Sequence, residues 1–372
     1  MKAAINLEIA RPHLSRIEPA PNRILIKAVN WLGDLVMSLP AMRAIRRAFP
    51  EAHLALLIKN DLASFFDGAD WINELVPYSL APYSVAKVFR GLDDRRKLIA
   101  EIRARHFDLA ILMPNSFESA LWIRAAGIPM RAGFARDARG AMLTHKATPP
   151  RDALEGHQVH YWLAMIRETL GIEVDIDLDD HTDDIAISPV PANVARMRDW
   201  LASHRRHPNA PLIAIAPAAA YGPAKEWPAE KFANLIDQLP ERIGAECVLV
   251  GTPSERAKCE AVATLSSNGA VIAAGKTSVG ELIALLSLSS AFVGNDSGSM
   301  HLANALGIPT VGIFGSTNPL RTGPSKRTSR VIWHRLECSP CLARTCRYGH
   351  YNCLRQIEPK EVLEALESVR SS

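Results

Sequence analysis

Residues 293–315 read VGNDSGSMHLANALGIPTVGIFG, and this stretch decides the fold class. A short apolar run, 291–293, stops at Gly294-Asn295-Asp296-Ser297-Gly298. Met300, Leu302, Ala303 and Leu306 then fall at helical spacing, and the pattern ends at Gly307. Ile308-Pro309 restarts an extended apolar run over 310–314. The order is strand, polar turn, helix, strand. Asp296 or Ser297 is placed to N-cap the helix. Such a helix start presents free N–H groups and the positive end of a dipole, which together make an anion site from backbone. The turn's two glycines would let a diphosphate approach the main chain. By pattern alone, Asp-Ser-Gly is equally well explained as ordinary turn-and-cap chemistry.

The same alternation runs outward in both directions. Upstream, LIAIA (212–216), CVLV (247–250) and residues 270–273 read as strands separated by helices at 229–239, from Pro253, and at 279–289. The N-terminal half opens with RILIKAV (23–29), the turn NWLGD (30–34) and a helix with Leu35, Leu39, Met42, Ile45 and Phe49 on one face. Pro50 stops that helix, and HLALLI (53–58) is the next strand. A basic helix at 92–105, a buried strand at 107–113, a helix at 116–126, a strand at 128–134 and a helix at 156–170 follow. The acidic stretch 171–184 breaks the pattern and marks the domain boundary. The reading is an α/β protein of two Rossmann-like domains facing a cleft. Its divisions are a loose extension over 1–20, domains at 21–185 and 186–358, and a closing helix at 359–372. In such sheets ligands bind beyond the carboxyl ends of the strands.

With 372 residues the chain is long enough for two domains. A net charge of +4 is too mild to argue for nucleic acid, and basic and aromatic residues are not interleaved. No apolar run reaches membrane-spanning length, and the first twenty residues lack a signal-peptide core. A cytoplasmic protein is expected.

Four turns at that carboxyl edge could carry chemistry. Asp34 opens the first helix, where a carboxylate can take a proton from a substrate hydroxyl, although Asp is also a common helix-start residue. The loop APAAAYGPAKEWP (216–228) brings Lys225, a point charge suited to phosphate, to the rim. Glu255 follows Gly251-Thr252-Pro253-Ser254 and could hold ribose hydroxyls or simply serve the helix dipole. His301 lies one turn into the helix after Asp296 and reads first as an interior histidine. Neither half has a G-x-G-x-x-G turn after its first strand, which disfavours a dehydrogenase.

With these residues in hand, the chain resembles the lipopolysaccharide heptosyltransferases of glycosyltransferase family 9, most of all the heptosyltransferase II type. The matching segments are NWLGD (30–34), LMPNSFESAL (112–121), YGPAKEWP (221–228) and NDSGSMHLANALGIP (295–309), in family order along nearly the whole chain. The resemblance implies a GT-B fold, with the acceptor on the N-terminal domain and a nucleotide-sugar on the C-terminal one. It implies inverting transfer of heptose from ADP-heptose to the inner core of lipopolysaccharide, the second heptose, at the cytoplasmic face of the inner membrane and without a catalytic metal. By the same resemblance, Asp34 is the base, and Lys225, Glu255, Asp296, Ser297, Gly298, Ser299 and His301 bind the donor. Ala218–Ala220 depart from the enterobacterial pattern. A polyanionic acceptor would meet basic residues of the first half (Lys59, Arg95, Arg96, Arg131, Arg136, Arg139), with Asn115 and Ser116 bonding sugar hydroxyls.

Cys338, Cys341, Cys346 and Cys353 fall within sixteen residues. That density suggests a structural metal, zinc or an iron–sulfur centre, with His334 and His350 as substitute ligands, or else reduced thiols. Two other readings are open: a family 9 transferase acting on another surface glycan, and a metal-binding interaction module on a Rossmann scaffold.

Overall fold

Apolar β-branched runs alternate with amphipathic helices, so each half of the chain builds a parallel sheet with helices over it. The computed structural model describes residues 17–80, 88–174, 182–324 and 328–371. The first sheet contains β1 (Arg23–Lys27), β2 (His53–Lys59), β3 (Glu74–Tyr78), β4 (Leu109–Leu112), β5 (Met130–Phe134) and β6 (His145–Ala147). The second contains β7 (Leu212–Ala216), β8 (Glu246–Leu249), β9 (Val271–Ile272), β10 (Ala291–Asn295), β11 (Thr310–Phe314) and β12 (Ser329–Trp333). Their orders are β3-β2-β1-β4-β5-β6 and β12-β11-β10-β7-β8-β9. Both are the doubly wound pattern, and every pairing is parallel. The order reverses between β1 and β4 in one sheet and between β7 and β10 in the other, which is where such sheets open a crevice.

The central strands are buried on both faces, as expected for strands covered by helices on each side. The outer strands β3, β6 and β12 escape the sequence reading. β3 carries Pro77, β6 has three residues, and β12 is half exposed. The extension also needs correction at its end: Ile17 is buried in the first domain's core, while residues 1–16 lie outside the described residues. Part of the acidic break, 175–181, lies outside them too. The closing helix, Pro359–Ser371, packs Val362, Leu363, Leu366 and Val369 into the second domain's core.

The two domains meet chiefly through two helices. Leu32–Ala48, which follows β1, lies against Gly298–Ala305, which follows β10. Their starts interlock through glycines. A Cβ on Gly33 would lie 2.8 Å from Cδ2 of His301, and one on Gly298 would lie 2.8 Å from Cβ of Leu32. The space a side chain would take at the turn's glycines is thus filled by protein: Gly294 is likewise filled, by the Phe292 ring at 2.8 Å. Further ties are Gly280 N donating to Ser64 Oγ (3.2 Å) and Arg43 Nη2 donating to Ala186 O (2.6 Å). His157 adds a third. Its Nδ1 accepts from Val159 N, so Nε2 carries the proton and donates to Gly323 O at 3.1 Å.

A helical Gly→Ala change ordinarily stabilises by up to about 1 kcal/mol. Here Gly33→Ala is expected to destabilise by about 1–3 kcal/mol, as overpacking does. In a His301→Ala background the same change should cost far less. Urea denaturation of the four proteins measures the coupling; additive effects would contradict the interlock.

Candidate active site between two helix starts

Asp34 stands in the first turn of the Leu32–Ala48 helix, just beyond the carboxyl end of β1. The helix has Trp31 as N-cap residue and no side-chain cap. Burial pushes the Asp34 carboxyl up to about 6; the nearby Lys225 charge pulls it down, and Asp296 pushes it up. Asp34 is thus a carboxylate at neutral pH, yet far more basic than usual. That is what a general base for a hydroxyl requires.

Facing it are groups from the second domain. Lys225 ends a short turn, Pro223–Lys225, in the loop after β7. Its Nζ lies 2.6 Å from Oδ2 of Asp296, and the same oxygen accepts from Thr317 Oγ1 at 2.7 Å. Both partners are largely buried, with side chains 14% and 4% exposed. Asn295 pins the two loops together: its Oδ1 accepts from Trp227 N (3.0 Å) and its Nδ2 donates to Pro217 O (2.8 Å). His301 Nε2 is 3.9 Å from Oδ1 of Asp296. Burial pushes His301 down to about 4; Asp296 works against this, while His157 and Lys225 add to it. His301 is therefore a neutral interior histidine at physiological pH.

The expected side-chain cap is absent. Ser297 is the N-cap residue of Gly298–Ala305, but its side chain makes no capping bond, and its buried Oγ has no partner among the described residues. Asp296 spends its carboxylate on Lys225 and Thr317 instead. Ser299 stands half-buried in the helix's first turn. The helix start is left uncapped beside a lysine, a combination that stabilises developing negative charge.

Other expected residues have different employment. Glu255 closes a capping turn, accepting from Thr252 N (2.8 Å) and Thr252 Oγ1 (2.9 Å) through Oε2. Asn115 donates to Tyr161 Oη (2.7 Å) and accepts from Arg139 (3.2 Å). Ser116 caps the Phe117–Ala125 helix. Arg131 is committed to the carbonyls of Met142, Ile128 and Pro129, and Arg139 to those of Phe134 and Pro114. Arg95 pairs with Glu118. Half-buried Lys59 and exposed Arg136 remain at the edge of the first sheet.

Two residues of this region lie outside the sequence reading. Thr317 follows β11 in the polar run Ser316-Thr317-Asn318, which its position at a strand's carboxyl end could have flagged. Lys27, fully buried at the end of β1, donates to Ala28 O and Asn30 Oδ1, and Tyr78 Oη also donates to Asn30 Oδ1 (3.0 Å). Burial, with help from Lys59, lowers the Lys27 amine to about 7. These bonds brace the turn that leads to Asp34.

Of the two cysteine expectations, only the thiols find support. All four cysteines of the cluster are free thiols, and among the described residues no three His, Cys, Asp or Glu side chains are grouped to hold a metal ion. The structural metal is unsupported, and the free thiols match the other alternative. The segment is held by protein contacts instead, among them Ser339 Oγ to Gly315 O (2.7 Å) and Leu342 N to Ser316 O (2.8 Å).

Because folding raises the Asp34 pKa, its neutral form favours the fold. That contribution is complete below about pH 4 and is lost as pH rises through about 6. At pH 8, Asp34→Asn should therefore stabilise the protein by on the order of 2 kcal/mol, and at pH 4 by almost nothing. Urea denaturation at the two pH values checks this. Equal effects at both would contradict a desolvated Asp34.

Residues 95–352 match the model of glycosyltransferase family 9 (heptosyltransferase). Lipopolysaccharide heptosyltransferase 2 of Escherichia coli K12 is 27% identical over 365 residues, covering 93% of this chain and 98% of that protein. The enzyme of the same name from Salmonella typhimurium LT2 is 28% identical over 369 residues, covering 94% and 99%. The solved structure of E. coli ADP-heptose LPS heptosyltransferase II matches with a TM-score of 0.79 at 26% identity, covering 94% of this chain and 98% of that one. A family 9 glycosyl transferase from Veillonella parvula reaches the same TM-score at 21% identity, a likeness of fold. The paired doubly wound sheets agree with the expected GT-B architecture, and the family match spans most of the sequence: the chain belongs to glycosyltransferase family 9.

Proposed function

We propose that the chain is an inverting heptosyltransferase, which moves L-glycero-D-manno-heptose from ADP-heptose to the inner core of lipopolysaccharide as the second heptose. One observation carries the reading. Asp34, a carboxylate raised to about 6, faces Lys225 and an uncapped helix start across the domain junction. The relatives named for this reaction support the substrates.

In this reading residues 21–185 hold the acceptor and residues 186–358 the donor. Asp34 accepts the proton of an acceptor heptose hydroxyl as that oxygen bonds to the anomeric carbon. The bond from that carbon to the diphosphate breaks on the opposite face, and ADP departs with the electron pair. Its growing negative charge meets Lys225 and the N–H groups of Gly298, Ser299 and Met300. Asp296 and Thr317 hold Lys225 in place, and neutral His301 fills the space under Gly33. Fixed charges of this kind can supply the stabilisation that a divalent ion supplies elsewhere. Lys59 and Arg136 are the proposed contacts for acceptor anions, and Glu255 a contact for the donor ribose. The acceptor is lipid-bound, so the enzyme works at the cytoplasmic face of the inner membrane. No described helix is long and apolar enough to cross it.

The test is ADP release from ADP-heptose with a Kdo2-lipid A acceptor already bearing one heptose. Acceptor-dependent release should fall about 10²–10⁴-fold in Asp34→Asn, the usual worth of a general base. Undiminished release by the variant would remove Asp34 from the mechanism. Release with an acceptor lacking the first heptose would move the protein to the first transfer.

A further inference from the structure

The cysteine-rich segment lies directly behind the loop that carries Lys225. Ala224 N donates to Arg344 O at 3.0 Å, and Tyr221 Oη donates to Leu342 O at 2.6 Å. Gly222, at φ +142°, leaves room for this approach: a Cβ there would sit 2.6 Å from Arg344 O. Only glycine tolerates both that backbone angle and that contact. Loop and segment are therefore built for each other.

Arg344 and Lys225 lie against the same ring. Lys225 Nζ is 4.9 Å from the centroid of Tyr221, and Arg344 Cζ is 5.0 Å from it, so the two charges stand within about 10 Å of each other. Lys225 has the Asp296 carboxylate. Arg344 is exposed and has no carboxylate partner among the described residues. Two like charges at one ring repel, and a polyanion between them removes the repulsion. A third group sits beside them. Ser316 is 1% exposed; its N–H donates to Ala224 O, its carbonyl accepts from Leu342 N, and its hydroxyl has no partner among the described residues. A buried hydroxyl left without a partner is costly unless a ligand supplies one.

We propose that the cysteine-rich segment completes the donor site by delivering Arg344 as a second cation for the diphosphate that Lys225 meets. The proposal rests on the reading of this cleft face as a nucleotide-sugar site. A guanidinium's planar fork suits phosphate oxygens, whereas Lys225 acts as a point charge. The segment's role is then to hold one cation while bracing the loop of the other.

Calorimetric titration of the full chain with ADP, together with ligand-observed NMR titration with adenosine, tests it. Arg344→Ala should weaken ADP about tenfold, the scale of one charge-assisted bond, and leave adenosine within about twofold. Arg344→Lys should restore most of the ADP affinity. Because Arg344 is exposed, the variants should melt like wild type. The proposal is overturned if Arg344→Ala binds ADP normally, or if it loses ADP and adenosine equally without rescue by lysine. Wild-type protein that binds neither ligand would overturn the donor-site reading itself, and the proposal with it.

Discussion

Lys225 and Asp296 come from loops after different strands of the second sheet, and they meet at 2.6 Å where little solvent reaches. Burying such a pair rarely stabilises a fold, because the cost of desolvating two ions offsets their attraction. Its value here lies in placement. Asp296 accepts from Lys225 and Thr317 through one oxygen, which fixes the lysine at the mouth of an uncapped helix start. The pair also sets the state of its neighbours: Lys225 restrains the rise of Asp34 and helps keep His301 neutral. A carboxylate in the first domain and a cation in the second are thus tied electrostatically, although they belong to different sheets.

Gly33 and Gly298 make that tie geometrically feasible. Each glycine leaves the space that a side chain of the opposite helix fills, so the two helix starts approach closely. The two motifs, NWLGD and NDSG, are halves of one joint. Each was legible alone as a strand-to-helix turn at a sheet's carboxyl edge, because apolar runs and helix-start residues are local signals. That they interlock was not legible, since nothing in either segment records its partner.

The buried central strands announced themselves by continuous apolar runs, whereas β3, β6 and β12 did not. Edge strands are half exposed, carry charge or proline, and lack that signature. Polar residues divided along similar lines. Asn115, Ser116 and Arg131 sit where an acceptor reading expects them, yet their side chains are engaged by carbonyls, a tyrosine and a helix cap. Residue type predicts bonding capacity, but only the fold decides who uses it. Thr317 and Lys27 show the converse: each looked unremarkable in sequence, yet Thr317 bonds Asp296 and Lys27 bonds Asn30 in the turn that leads to Asp34. The cysteines were conspicuous in sequence for their density; in the structure, the segment's backbone contacts to the lysine loop matter more.

The most direct test of the electrostatic tie is to titrate the Asp34 carboxyl by carbon-13 NMR, in wild type and in Lys225→Met. The wild-type value should be about 6, because burial outweighs the attraction of Lys225. Removing that charge should move it higher still, since Asp296 then acts on Asp34 unopposed. A carboxyl that titrates near the ordinary value of about 4, or one that does not respond to Lys225→Met, would contradict the account: the two domains would not share a site.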